Sequence, residues 1–311
     1  MDDLKIRQER AHNLWTSVQR KTPPLAAATI LEPNPRVKPD QIGGLAQAQE
    51  EVVTYACALT NPDLYASWGT FPPAGLLLIG HPGTGKSLLA AAMATRAQTP
   101  FLRVELPRLA LEIVHHIAQA VELLDTWSHA LQEMPPLTVF FHELEFSQAQ
   151  AFGFSRPDLP IGPIMDFLLE FIERAIVIPD TLVVGSTTNP VTLRHAFLAP
   201  GRFERIVEVT PRFPEDIVAA LEIHSRAAEK RAGRSLFDAI DWPEVVRPLQ
   251  EPSIGDWIRL MHGVLRRKAR RESTGEEVGL VTAEDLMAEV DRFRKAQGRI
   301  SQPDGTGSTY V

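Results

Sequence analysis

The sequence has little of what marks secreted, membrane-spanning or nucleic-acid-binding proteins. Cys57 is its single cysteine, so no internal disulfide can form, and we expect a small buried thiol in a reducing cytosol. No apolar run approaches the roughly 18 residues of a membrane span, and the charged N-terminus lacks a signal peptide's apolar core. The net charge of −7 argues against a surface dedicated to nucleic acid. These absences indicate a soluble cytoplasmic protein, and 311 residues suffice for a sizeable core.

The chain divides into four parts of different pattern. Residues 1–39 combine an apolar helical stripe with nearly all of a Pro-rich segment, 21–40, which we expect to be a linker. Residues 40–213 alternate strand-like and helix-like runs, which is typical of a parallel α/β sheet. Strand patterns end there, so 214–298 is predicted as a small helical domain and the polar 299–311 as a flexible tail. The candidate strands are Gly75–Ile79, Phe101–Glu105, Leu137–Phe141, Thr181–Ser186 and Arg205–Val209; the candidate helices of the small domain are Glu215–Arg231, Ile254–Arg271 and Thr282–Lys295.

The most specific motif is a phosphate-binding loop. Gly80-His-Pro-Gly-Thr-Gly-Lys-Ser87 matches G-x-x-x-x-G-K-[ST] without a gap, between an apolar strand-like run and a helix-like segment. Its glycines allow backbone N–H groups to point inward at phosphate oxygens. Lys86 can reach the β/γ oxygens, and Ser87 can offer its hydroxyl to Mg²⁺. An ordinary Gly-rich turn is the alternative, but the strand–loop–helix context favours a nucleotide site.

Polar residues follow two of the other predicted strands, and a pair of arginines lies at the start of a third. His142 and Glu143 come directly after the buried run Leu137–Phe141, where a metal-binding Asp and a catalytic Glu would be expected. Asn189 ends a further strand-like run, and Pro200–Arg205 contains two arginines three residues apart. His142 therefore stands in the place of the expected Asp.

Together these motifs resemble the classical clade of AAA ATPases, most closely the proteasomal ATPases and the membrane-anchored bacterial AAA proteases. The resemblance covers about residues 40–295 and is carried by Asp40–Leu45, Pro72–Ser87 and Pro200–Arg205. It implies a P-loop AAA+ parallel-sheet domain followed by an all-helical lid domain. It also implies ATP/ADP with Mg²⁺ as cofactors, and self-assembly into a hexameric ring.

The resemblance assigns roles by position. Glu143 would polarise the attacking water, and Asn189 would be the sensor of water or γ-phosphate. Arg202 and Arg205 would act in trans as arginine fingers, which stabilise transition-state charge at a neighbouring subunit's site. The implied nucleotide contacts are Ile42, Gly43, Pro82, Gly83, Thr84, Gly85, Lys86, Ser87, Leu88, His224 and Gly255, and the implied metal ligands are Ser87 and, as a poor substitute for Asp, His142. A surface salt bridge remains the alternative for the arginine pair, and a structural role for His224.

The chain also departs from the family it resembles. Mg²⁺ prefers hard oxygen ligands, so the imidazole of His142 puts the rate of turnover in doubt. The segment of the central-pore loop holds Val114-His115-His116 instead of an aromatic–hydrophobic–Gly triplet. Phe152-Gly153-Phe154 lies near the second pore loop, where it could grip a partner or pack on its own domain. Ile172 stands where a second interface acid is expected beside Glu170.

The sequence therefore predicts an ATP-hydrolysing ring that remodels a protein partner. The alternative is a structural or regulatory nucleotide-binding ring with weak or no hydrolysis, which His142 and the missing pore triplet favour. A DNA-remodelling ATPase is a distant third, since no basic groove with interleaved aromatics is evident. Thr309-Tyr310-Val311 at the C-terminus could dock on a partner complex or a PDZ-type pocket, or be an unselected solvated tail.

Overall fold

The computed structural model describes residues 2–37, 41–72, 74–144, 161–193, 195–249 and 253–301. The chain divides into two compact units, with the boundary between Thr210 and Pro211. The first unit contains a six-stranded sheet, and the second, in its described part, is made of helices joined by loops.

The sheet of the first unit has the order β1-β3-β4-β5-β2-β6. The strands are β1 (Thr29–Glu32), β2 (Leu76–Ile79), β3 (Phe101–Glu105), β4 (Leu137–His142), β5 (Thr181–Thr187) and β6 (Arg205–Glu208). All neighbouring pairs are parallel except β1 with β3, which is antiparallel. The near-continuous apolar runs of β2, β4 and β5 are typical of parallel strands buried on both faces. The five strands predicted from the sequence are all present.

Helices cover both faces of this sheet. They are α1 (Asp2–Lys21), α2 (Pro23–Ala28), α3 (Ala46–Thr60), α4 (Pro62–Ser67), α5 (Lys86–Ala97), α6 (Leu106–His115), α7 (Ala120–Glu133) and α8 (Ile161–Ile176). Two apolar cores result, because successive strand residues point to opposite faces. In β4, Phe141 joins a core with Trp127 of α7 and Phe171 of α8, whereas Phe140 joins a core with Leu89 and Met93 of α5.

The N-terminal region differs from the linker we expected in residues 21–40. Its first half forms α2 and β1, and β1 extends the sheet beside β3. Pro23 and Pro24 lie at the first positions of α2, where proline costs no helix hydrogen bond because the N–H there is unpaired anyway. Behind them, Leu25 and Ala28 are fully buried in the core. The proline count therefore misled the prediction, since two of the prolines begin a helix.

The second unit contains four described helices: α9 (Glu215–Ala232), α10 (Trp242–Val246), α11 (Ile254–Ser273) and α12 (Ala283–Ser301). Its core forms around Trp257, Met261 and Val264 of α11, with Leu286 and Val290 of α12 packed against them. The short α10 and a parallel bridge between Phe237 and Val281 were not predicted. The α/β domain followed by a helical domain confirms the predicted fold class.

Candidate functional site

The phosphate loop connects β2 to α5 in the first unit, as its sequence context predicted. Gly80 follows β2 directly, and a Cβ at this position would lie 2.5 Å from the backbone oxygen of Val209. Gly85 has φ of +101°, a left-handed value that residues with a side chain rarely adopt, and α5 begins at the next residue. The loop therefore ends at the N-terminus of a helix, where free N–H groups and the helix dipole favour an anion.

Lys86 lies inside this loop and is only 8% exposed. Its Nζ donates to the backbone oxygen of Gly80 at 2.6 Å and to that of His81 at 2.8 Å. Thr84 is also buried, and its hydroxyl donates to the oxygen of His81 at 2.9 Å. The ammonium group is thus held over the concave side of its own loop. A phosphate there would meet a positive charge that is already in place.

The carboxyl ends of β4 and β5 reach the same sheet edge as the phosphate loop, because these strands are parallel. Glu143 follows β4 with φ of +63°, a conformation that is uncommon for a residue with a side chain. Its backbone N–H donates to Oγ of Ser186, at the end of β5, at 3.4 Å. Asn189 lies two residues beyond β5, and its N–H donates to Oγ1 of Thr187 at 3.1 Å. The candidate catalytic Glu and sensor Asn therefore share one edge of the sheet with the loop.

His142 ends β4 and contacts a carboxylate that the sequence analysis did not single out. Its Nδ1 is 3.1 Å from Oε2 of Glu105, the last residue of β3. Glu105 and His142 are direct partners in the β3–β4 register, so the two side chains leave the sheet side by side. Arg103 forms an ion pair with the same Glu105. Finding Glu105 required the strand pairing, since 37 residues separate it from His142.

The two candidate finger arginines flank Phe203, which is 1% exposed and fixes their loop to the core. A Cβ on Gly75, just before β2, or on Gly185 of β5 would approach the ring of Phe203 to 3.0 Å or less, so the backbone passes close to the ring at both positions. In the single chain, Arg202 forms an ion pair with Glu173 of α8, and Nε of Arg205 donates to Oε2 of Glu51 of α3 at 2.9 Å. Both arginines therefore have carboxylate partners within their own subunit.

Ile42 and Gly43, two of the expected nucleotide contacts, are both buried, and Ile42 belongs to the core of the first unit that contains Phe140. Gln49 of α3 holds this segment: its Nε2 donates to the backbone oxygens of Ile42 at 3.1 Å and Gly44 at 2.6 Å. The sequence analysis missed Gln49, because a glutamine in a helix gives no signal of a loop contact.

His224 and Gly255 belong to the second unit. His224 of α9 lies against His262 of α11, with ring centroids 6.3 Å apart and nearly perpendicular planes. Burial lowers the pKa of both imidazoles, and the nearby Arg231 lowers it further. Gly255 lies in the first turn of α11, whose N-terminus is closed by a capping box between Ser253 and Asp256.

The polar groups of the first unit suit the phosphates of a nucleotide, but they do not form a complete set of ligands for its divalent cation. The cradle at Gly80, the ammonium of Lys86 and the helix terminus suit phosphate. Within the described residues, no group of three or more His, Cys, Asp or Glu side chains is placed to hold a metal alone. A cation would thus depend on phosphate oxygens together with Ser87, as Mg²⁺ commonly does.

Several predicted features lie elsewhere. Phe152-Gly153-Phe154 and Thr309-Tyr310-Val311 fall outside the described residues, as does Asp40. The segment expected at the central pore forms the end of α6 and a short 3-10 turn, Ile117–Gln119. Ile172 is buried in the core, and Glu170 forms an ion pair with Arg174.

Cys57 is half-buried and not in a disulfide. None of the helices in the described ranges combines the length and apolar content that a bilayer crossing requires.

A mainly parallel sheet with a G-x-x-x-x-G-K-[ST] sequence after an inner strand is the arrangement typical of P-loop proteins. The family model described as "ATPase family associated with various cellular activities (AAA)" matches residues 76–211. The chain belongs to this AAA family, which confirms the resemblance that its motifs indicated.

Similar proteins include two proteasome-activating nucleotidases and a cell division cycle protein 48 homolog. The proteasome-activating nucleotidase of Methanocaldococcus jannaschii is 32% identical over 281 residues, which cover 89% of this chain and 62% of that protein. That of Archaeoglobus fulgidus is 30% identical over 291 residues, 93% of this chain and 69% of the relative. The cell division cycle protein 48 homolog of the same organism is 26% identical over 257 residues, 82% of this chain and 33% of its own length.

Proposed function

We propose that the chain binds ATP or ADP with Mg²⁺ at Gly80–Ser87 and hydrolyses ATP. The observation that carries the proposal is the complete phosphate loop with the buried ammonium of Lys86 at its centre. The bound cation would neutralise phosphate charge and help to orient the γ-phosphate. Ser87 is its candidate ligand among the side chains of the loop.

The other residues supply the remaining parts of phosphoryl transfer. Glu143, fixed through its backbone to Ser186, acts as the base that orients the attacking water. Asn189 contacts this water or the γ-phosphate from the end of the neighbouring strand. Positioning and charge stabilisation account for most of the catalysis in this reaction class, so a rigid sheet edge is a suitable support.

We infer further that the active form is a ring in which Arg202 and Arg205 complete the site of the next subunit.

 This arrangement is inferred from the motif Pro200–Arg205 and from family membership. Two relatives are named as nucleotidases that activate a proteasome, so a protein is the substrate class we propose for the ring to remodel. The cytoplasmic location expected from the sequence stays a prediction.

Steady-state phosphate release by the purified chain tests the proposal. We expect Lys86→Ala to abolish nucleotide binding in a calorimetric titration, because the phosphate charge loses its main counter-charge. Glu143→Gln should keep binding but lower phosphate release by at least about 100-fold, which is the usual contribution of a general base. Lys230→Ala, at an exposed position of α9, is the matched control and should change neither quantity.

The outcomes separate the candidate functions. Unchanged ATP affinity in Lys86→Ala would contradict the site itself. Nucleotide binding by the unsubstituted chain without any phosphate release would instead identify a structural or regulatory subunit, the alternative that His142 favours.

A further inference from the structure

The proposed function gives no role to the carboxylate of Glu105, which lies beside His142. We propose that Glu105 and His142 act as a pair at the metal side of the nucleotide site. Glu105 holds the imidazole so that its Nε2 binds the nucleotide's divalent cation. The inference rests on the proposed function. It predicts a site that takes Co²⁺ more readily than Mg²⁺.

The backbone brings the pair together. Glu105 and His142 are the last residues of two adjacent parallel strands and are direct register partners. The pair thus lies at the carboxyl ends of the strands, the edge of the sheet that also carries the phosphate loop. Both side chains are about one-quarter exposed or less, at 26% for Glu105 and 20% for His142.

Hydrogen bonding selects one tautomer of the imidazole. An ionised carboxylate can only accept, so the 3.1 Å contact between Oε2 of Glu105 and Nδ1 requires a proton on Nδ1. The neutral ring then keeps its free lone pair on Nε2. Arg103 holds Glu105 in an ion pair, and it is farther from Nδ1, at 3.5 Å, than the carboxylate is. Glu143 is farther still, with Oε1 at 3.9 Å.

A carboxylate bound to the second nitrogen of a histidine is the usual support of a metal-binding imidazole. It fixes the ring and makes the free nitrogen a better ligand. Replacement of the expected Asp by His would therefore change which cation the site prefers. Imidazole suits cations later in the first transition row, whereas Mg²⁺ prefers oxygen.

The test measures how much cation is needed to bind the non-hydrolysable ATP analogue AMP-PNP, for Mg²⁺ and for Co²⁺. The unsubstituted chain should reach half-saturation at a lower Co²⁺ than Mg²⁺ concentration. Glu105→Gln should raise the Co²⁺ requirement by about 10- to 100-fold, the usual effect of losing such a supporting carboxylate. His142→Asp should lower the Mg²⁺ requirement and remove the preference for Co²⁺. Glu133→Gln is the control, because it breaks an exposed Glu–His pair with His129 on α7.

A spectroscopic measurement on the unsubstituted chain detects the proposed nitrogen ligand directly. With Mn²⁺ and AMP-PCP bound, an ATP analogue without nitrogen in its phosphate chain, electron spin echo modulation should show a nitrogen near the cation. The signal should vanish in His142→Asp, which excludes His81 of the phosphate loop as its source.

The proposed pairing is wrong if AMP-PNP binding reaches half-saturation at the same concentration of Mg²⁺ and of Co²⁺, and if Glu105→Gln needs no more Co²⁺ than Glu133→Gln. It is equally wrong if the nitrogen signal is absent or survives His142→Asp. Failure of AMP-PNP to bind with any cation would overturn the proposed function as well, and so would be distinguished from a failure of the pair alone.

Discussion

Gly80 shows how closely the phosphate loop is packed against its neighbours. A side chain there would meet the backbone oxygen of Val209, which cannot move without displacing the segment after β6. We expect Gly80→Ala to lower the free energy of unfolding by about 1–3 kcal/mol, as overpacking does, and to weaken nucleotide binding. Urea denaturation and calorimetric titration measure the two effects.

Gly162→Ala is the matched control for this change. It lies in α8, and a Cβ there would meet nothing within 4 Å. We expect it to leave stability and binding unchanged or slightly improved, since alanine favours helix. Equal behaviour of the two variants would contradict the steric argument.

The pair His224 and His262 predicts a dependence of stability on pH. Burial lowers the pKa of both, so below the ordinary histidine value of about 6.5 the unfolded chain binds more protons than the folded chain. The free energy of unfolding of the second unit should therefore fall as the pH is lowered below that value. Urea denaturation of the chain at pH 8 and at pH 5.5 measures this loss.

Substitution of His262 should reduce the loss of stability at low pH. In His262→Gln, one lowered pKa is absent and His224 loses a neighbour that repels its charged form. Compared with the unsubstituted chain, the variant should lose less stability between pH 8 and pH 5.5. An identical loss in both proteins would show that other groups cause it.

Among the helices and strands, the N-terminal elements α1, α2 and β1 belong to the core of the first unit. Trp15 of α1 is 1% exposed, its ring meets that of Trp127 edge-on at 5.9 Å, and its Nε1 donates to Oγ1 of Thr29 at 3.2 Å. We expect Trp15→Ala to cost about 3–5 kcal/mol, the usual effect of emptying a buried aromatic site. Circular dichroism during urea denaturation measures the loss.

Trp68→Ala provides the comparison, because Trp68 follows α4 and is 84% exposed. Its effect should stay within about 0.5 kcal/mol, as for most surface substitutions. If Trp15→Ala were equally mild, the N-terminal elements would be an appendage and not part of the core.

The second unit shows how charges join two helices. Arg267 and Lys268 of α11 form ion pairs with Glu289 and Asp285 of α12. A run of basic residues in a helix usually indicates a solvated face. Here part of the run reaches across to the neighbouring helix, and only the packing of α11 on α12 shows which of its members do so.

For the whole molecule, the trans role of Arg202 predicts rescue between defective subunits. A Lys86→Ala subunit lacks a working site but supplies its arginines, and an Arg202→Ala subunit has a working site but lacks one finger. Each variant alone should show little phosphate release. Mixed rings should regain part of it at interfaces where an intact site meets an intact finger.

The control is each variant mixed only with itself at the same total concentration. Co-assembly must be shown by pull-down of one tagged variant with the other. Mixed rings without any rescue would contradict the trans role. They would favour the alternative that Arg202 and Arg205 serve their own subunit through Glu173 and Glu51.

The sequence by itself determined the features that depend on neighbours along the chain. The phosphate loop, the five strands Gly75–Ile79 to Arg205–Val209 and the helical second unit follow from local motifs and apolar periodicity. They were predictable because a strand–loop–helix motif and a buried run carry their signal in consecutive residues. Family membership followed from the order of these motifs.

Only the tertiary structure decided which distant residues meet. The strand β1 in the Pro-rich segment needs β3 as its partner, and Glu105 reaches His142 only because β3 and β4 are adjacent and in register. Gln49 holds the Ile42 segment, and Glu173 and Glu51 bind the finger arginines, across similar gaps in sequence. Such contacts depend on strand order and helix packing, which a local pattern does not contain.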